Sequence, residues 1–122
     1  MAQRVIDEMM KRYPRLIGLK IFAQNNANEL HVIASNDTKQ LRESAAKAEL
    51  EVFTTGTPHY AQSKEVASVI LPLRDRNGEV AGVLRVLLDP FPGQTQRNAV
   101  SRALPIAKEI ESRMIAAKDL TQ

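Results

Sequence analysis

Few side chains in this chain could do chemistry. His31 and His59 are the only histidines, and there is no cysteine. A metal or haem site needs further ligands at fixed spacing. No His-x3-His pair, CxxCH run or acidic cluster accompanies either imidazole. His31 lies beside core positions of a strand-like segment and reads as an edge or surface residue. Without cysteine, a disulfide framework and a thiol nucleophile are both excluded. No G-x-S-x-G elbow, P-loop or GxGxxG occurs, and Gly56-Thr-Pro-His59 lacks a serine. The carboxylate pairs Glu49/Glu51 and Glu109/Glu111 are two apart on helical segments. Such spacing points them to different sides, so they read as solvated charges. The expected protein is non-enzymatic and carries no metal or cofactor.

The polar residues that stand out lie inside apolar strands. Arg85 interrupts Val83-Leu84-Arg85-Val86-Leu87, and Lys20 sits between Leu19 and Ile21. Such a cation snorkels to an edge, pairs with an acid or faces a ligand. The guanidinium fork of Arg85 suits a carboxylate. Ser68, between Ala67 and Val69, could donate to a ligand or bond backbone. A cation in a low-dielectric wall is costly unless an anion meets it. Segments 16–24, 29–35 and 79–88 carry acids only at their ends, Glu29 and Glu79. That scarcity favours a bound small organic anion. An exposed face would remove the need for one.

These residues belong to a chain of 122 residues, the length of one domain, so 1–122 is taken as a single unit. Its net charge of +3 is too mild to argue for nucleic acid, and 4% aromatics leave no stacking platform for a single strand. The longest apolar stretches, Val66–Leu73 and Val80–Leu88, fall short of a membrane span. No signal peptide is read at the start.

Periodicity places the elements. Residues 2–12 read as a helix, with Val5, Met9 and Arg12 on one face and Ile6 and Met10 beside it, stopped by Pro14. Residues 16–24 and 29–35 read as a hairpin around the tip Asn25-Asn26-Ala27-Asn28, with Ile17, Leu19, Ile21 and Ala23 on one side of the first strand. Leu41, Ala45, Ala48 and Val52 are helix-spaced, so 39–54 reads as a helix. Asp37 and Gln40 would form its capping box, and Gly56 its cap. A short strand is expected at 59–64. Strands 66–74 and 79–88 should flank a turn at Asp75-Arg76-Asn77-Gly78. Both are apolar on both faces, which marks them as central. After a loop at 89–93, a helix covers about 96–118 with the stripe Val100, Ala103, Ala107, Ile110 and Met114 and a Glu109–Arg113 pair. Pro105 should kink or divide it. The order is an α+β fold with a five-stranded antiparallel sheet, an N-terminal helix, an inserted helix after strand 2 and a C-terminal helix.

Two phrases and the order of elements itself carry a resemblance. Glu51-Val-Phe-Thr-Thr-Gly-Thr-Pro58 is similar to a helix-end-then-strand phrase of PAS-like (profilin-like) sensory domains. Val69-Ile-Leu-Pro-Leu-Arg-Asp-Arg-Asn-Gly-Glu-Val-Ala-Gly-Val-Leu84 is similar to their final hairpin, which GAF domains share. With the N-terminal helix, the pattern over residues 3–90 resembles the Cache branch of bacterial extracytoplasmic sensors. That resemblance implies a periplasmic or secreted setting, a freestanding or excised sensor domain, and a ligand cavity between the sheet and the inserted helix. Lys20, His59, Tyr60, Ser68 and Arg85 are its expected binding residues, and His59-Tyr60 would otherwise be a solvent-facing strand end. The expected partner is a small anionic organic molecule, without nucleic acid and without a membrane span in this chain. The alternative is a ligand-free interaction module that homodimerises through its terminal helices.

Overall fold

The computed structural model describes every residue except Met1, Pro14, Asn25, Asn26, Asn28, Lys64, Phe91, Pro92, Gln94 and Gln122, and the backbone alone at Ala2, Thr38 and 114–121. The expected stop at Pro14, most of the Asn25–Asn28 tip, the end of the third strand at Lys64, Pro92 of the following loop and the Met114 end of the helical stripe lie outside the described residues.

Helix α1 spans Ala2–Arg12, followed by strands β1 (Leu16–Gln24) and β2 (Leu30–Ser35). Helix α2 (Lys47–Thr55) precedes β3 (His59–Gln62), β4 (Ala67–Arg74) and β5 (Val80–Leu88), and α3 (Gln96–Thr121) closes the chain. The sheet is antiparallel with strand order β2-β1-β5-β4-β3. β5 is therefore central, as its two apolar faces require. Two cores follow from this. Val5, Ile6 and Met9 of α1 and Ala103, Ile106 and Ile110 of α3 pack with Leu19, Ile21, Val69, Leu71, Leu84 and Val86 on one face. On the other, Val52 of α2 packs with Phe22, Val32, Ile70 and Val83.

The β4–β5 turn has the expected chemistry. Asp75 Oδ1 accepts from the backbone N–H groups of Asn77 (2.9 Å) and Glu79 (3.1 Å). Gly78 adopts φ 81°, which few other residues take without strain. Gly56 ends α2 at φ 72°, donating its N–H to the Val52 carbonyl at 2.8 Å.

Two expectations are corrected. The inserted helix does not start at residue 39. Asp37 and Gln40 shape only a 3-10 turn at Thr38–Gln40. The chain then reverses at Arg42, whose φ is 73°, and lies along β2. Arg42 N–H donates to Val32 O (2.9 Å), Val32 N–H to Glu43 O (2.8 Å) and Ala45 N–H to Leu30 O (3.0 Å). These bonds satisfy an otherwise open sheet edge, and they leave Leu41 exposed. In β1, the register slips between Leu16 and Gly18. Leu16 enters the core, and Ile17, the extra residue, turns outward at 44% exposure. Finally, of the two outcomes expected at Pro105, division of the helix does not occur: α3 runs undivided through it.

Glu109 and Arg113 do not pair with each other along α3 but reach across to α1. Arg12 donates to Glu109, and Arg113 donates to Glu8. The Arg113 hydrogen bond holds the Glu8 carboxyl below the ordinary glutamate value, aided by the charges of Arg113, Arg4 and Arg12. A carboxyl depressed by folding stabilises above its unfolded value and loses that contribution as pH falls through the folded one. An NMR titration should therefore place the Glu8 midpoint below that of an exposed glutamate, and Arg113→Gln should raise it. A Glu8 midpoint unmoved by that substitution would mean the helices are not clasped there.

Candidate functional site

Cross-strand register brings the expected residues onto one face of the sheet. Lys20 of β1 lies directly opposite Arg85 of β5. Arg85 lies opposite Ile70 of β4, and Ile70 opposite His59 of β3. Directly paired residues share a face, and Ile70 and Val83 belong to the core against α2. Lys20, Arg85 and His59 thus form one row beneath the α2 layer. Ser68, buried and paired with Leu87, lies one step along on the same face. Tyr60 does not join them. It pairs with Val69, packs against the α1–α3 core and donates its hydroxyl to Gln62. His31 sits in β2 opposite Ser44, half-buried, as an edge residue.

Like charges directly opposite in a sheet repel, so the Lys20–Arg85 pair needs counter-charge. Acids from the β2–α2 connection and from α2 supply it. Lys20 Nζ is 3.7 Å from Glu43 Oε1, and Arg85 Nη1 is 3.8 Å from Glu49 Oε1. Both separations exceed hydrogen-bonding distance. Glu43 is half in water, whereas Glu49 has only 3% of its side chain exposed. Reading Glu49 as a solvated charge is therefore a correction. Because α2 begins late, Glu49 falls in its first turn, where its Oε1 accepts the Ala46 N–H at 3.3 Å and the helix dipole favours negative charge. Glu111 and Glu109 are likewise engaged, the former accepting the Arg74 N–H at 2.6 Å.

The pairing is incomplete. Glu49 Oε2 and Arg85 Nε are both buried and have no hydrogen-bond partner. A buried polar atom without a partner costs free energy on the order of 1–3 kcal/mol, and more for charged groups. The arrangement offers an acceptor to a donor and a guanidinium edge to an anion. Strand spacing alone could not reveal Glu43 and Glu49 as partners. A signal was nonetheless present: Glu49 stands where an N-terminal helical acid belongs once the helix starts near Ala46.

Among the described residues no group of three His, Asp or Glu side chains gathers to hold a metal ion, and no helix is long and apolar enough to cross a membrane. The α3 stripe residues Ala103, Ala107 and Ile110 are buried against the chain's own sheet.

No family model and no curated protein sequence matches the chain. Solved structures do. The GAF domain of A. aeolicus nlh2 in an inactive state superposes with a TM-score of 0.69 at 13% identity, covering 100% of this chain and 86% of that one. The second GAF domain of DevS from Mycobacterium smegmatis gives 0.67 at 15% identity, covering 98% and 96%. A type II free methionine-R-sulfoxide reductase from Thermoplasma acidophilum gives 0.59 at 12%, covering 90% and 89%. At these identities the likeness is one of architecture: the chain has the fold of GAF domains, an antiparallel five-stranded sheet with α1 and α3 on one face and α2 on the other.

Proposed function

We propose that the protein is a non-enzymatic sensory domain that binds a small anionic organic molecule on the α2 face of its sheet. Arg85 and Lys20 are the anchors, and His59 and Ser68 lie on the same face. The carrying observation is the incompletely satisfied Arg85–Glu49 pair, 3.8 Å apart with Arg85 Nε unpartnered. A ligand carboxylate can take two guanidinium N–H groups at once, including Nε, where Glu49 now reaches neither at hydrogen-bond distance. Such an anion competes with Glu49. It thereby loosens the tie between β5 and α2 and shifts the population toward a repacked helix. The GAF-type fold supports the sensory reading. One neighbour is an enzyme, but this chain has no cysteine and so no thiol nucleophile. The narrower Cache assignment and a periplasmic or secreted setting rest on the sequence resemblance, its two phrases together with the N-terminal helix and the order of elements.

A thermal-shift screen of small organic acids and amino acids tests the proposal. At least one compound should raise the melting temperature of the wild type, and Arg85→Gln should abolish the rise. For scale, a ligand at a hundredfold its dissociation constant stabilises by about 2.7 kcal/mol. If no compound acts, or one acts equally on the variant, Arg85 anchors nothing.

A further inference from the structure

We infer that the ligand of the α2 face is a zwitterion, a small molecule with an ammonium beside its carboxylate and an apolar body. The inference rests on the reading of Arg85 as the carboxylate anchor and adds what Glu49 requires. Both partners of the pair are short of a contact: Arg85 Nε and Glu49 Oε2 are buried without a hydrogen bond. Each neighbours, within its own planar group, an atom already in the pair, Arg85 Nη1 and Glu49 Oε1 at 3.8 Å. The two open positions therefore lie within reach of one small molecule. They ask for opposite things. Nε donates and takes an anion, whereas Oε2 accepts and takes a cationic N–H.

The burial of Glu49 decides against a plain anion. An anion that draws Arg85 away leaves a carboxylate with 3% of its side chain exposed and its counter-charge withdrawn. Stranding one partner of a buried ion pair is strongly destabilising. The other cation of the row, Lys20, is engaged with Glu43 at 3.7 Å. An ammonium carried by the ligand replaces the charge that Arg85 withdraws and can hydrogen-bond Oε2. The charge balance agrees. Lys20 and Arg85 against Glu43 and Glu49 leave these four side chains with no net charge, so a net-neutral ligand keeps a balance that a net anion would break. The apolar body follows from the neighbours. Ile70 lies opposite Arg85, Val83 is two residues along the same face of β5, and Val52 is one turn on from Glu49 in α2. All three belong to one hydrocarbon core, where an alkyl group buries surface.

A ¹⁵N-resolved NMR titration of the full chain tests this with four probes on one carbon frame: L-valine, its hydroxy-acid counterpart, isovalerate without the ammonium and isobutylamine without the carboxylate. L-Valine should give saturating shifts centred on Glu49, Ile70, Val83 and Arg85. It should bind roughly tenfold tighter than each of the other three, the gain from one charge-assisted contact. Glu49→Gln keeps the shape of the side chain. It should weaken valine by roughly the same factor while isovalerate binds no worse than to wild type, because its competitor for Arg85 is gone. If isovalerate or the hydroxy acid binds as well as valine and Arg85→Gln abolishes both, the Arg85 anchor stands and the zwitterion is overturned. Isobutylamine binding as well as valine, or valine binding equally to wild type and Glu49→Gln, overturns it too. If no probe gives a saturating shift with wild type, the anchor reading fails together with it. Where Arg85→Gln does not fold, the probe series on wild type and Glu49→Gln decides.

Discussion

Leu84→Ala should lower the unfolding free energy by about 2–5 kcal/mol, the range for deleting a buried leucine side chain. Leu84 has no exposed surface and lies in the central strand, opposite Ile21 of β1 and Leu71 of β4. The side chains around it are held by the sheet and by α1 and α3, so the site can collapse little after truncation. Leu71→Ala should destabilise within the same range, because Leu71 is 1% exposed and packs in the same core. Urea denaturation measures both, with an unchanged slope showing that the denatured state is comparable. Because the two residues touch, the double variant should deviate from the sum of the singles. Losses under about 1 kcal/mol at both positions would contradict the core described for this face.

The second large effect is an asymmetry within the Arg85–Glu49 pair. Removing one partner of a buried ion pair costs about 3–5 kcal/mol, because the other is left as an uncompensated charge. Here the partners differ in access to water: the side chain of Arg85 is 33% exposed and that of Glu49 3%. Arg85→Met strands a buried carboxylate, so it should cost about 2–4 kcal/mol, reduced from the fully buried case by solvent screening. Glu49→Gln leaves a cation that can turn to water, and the amide oxygen can still accept the Ala46 N–H. That variant should lose about 1 kcal/mol or less. Combining Arg85→Met with Glu49→Leu should recover most of the loss, since an apolar pair of similar volume often matches a buried ion pair. A denaturant-based double-mutant cycle reads all of this. If Glu49→Gln proves as costly as Arg85→Met, the burial difference between the partners does not govern the pair.

The same pair marks the boundary between what is local in this chain and what is not. The β4–β5 hairpin was legible because its determinants are close in sequence: apolar residues on both faces, then Asp75, Asn77 and Gly78 in a turn whose hydrogen bonds close within five residues. The same holds for α1, with Met9 one turn on from Val5 and Ile6, and for the Gly56 cap. The shared face of Lys20, Arg85 and His59 needed the register of four strands, because a slip of one residue reverses a strand's faces. The β1 irregularity at Leu16–Gly18 shows how one extra residue changes which side chain is buried. The start of α2 was decided by backbone pairing of residues 42–45 with β2, a contact helix-spaced alanines could not disclose. With that start came the burial of Glu49 and its place against Arg85. Hydrophobic periodicity is a property of neighbours along the chain, so it specified the elements and most of their buried faces. Which acid meets which cation depends on groups brought together across strands and layers, and only the tertiary structure decided it.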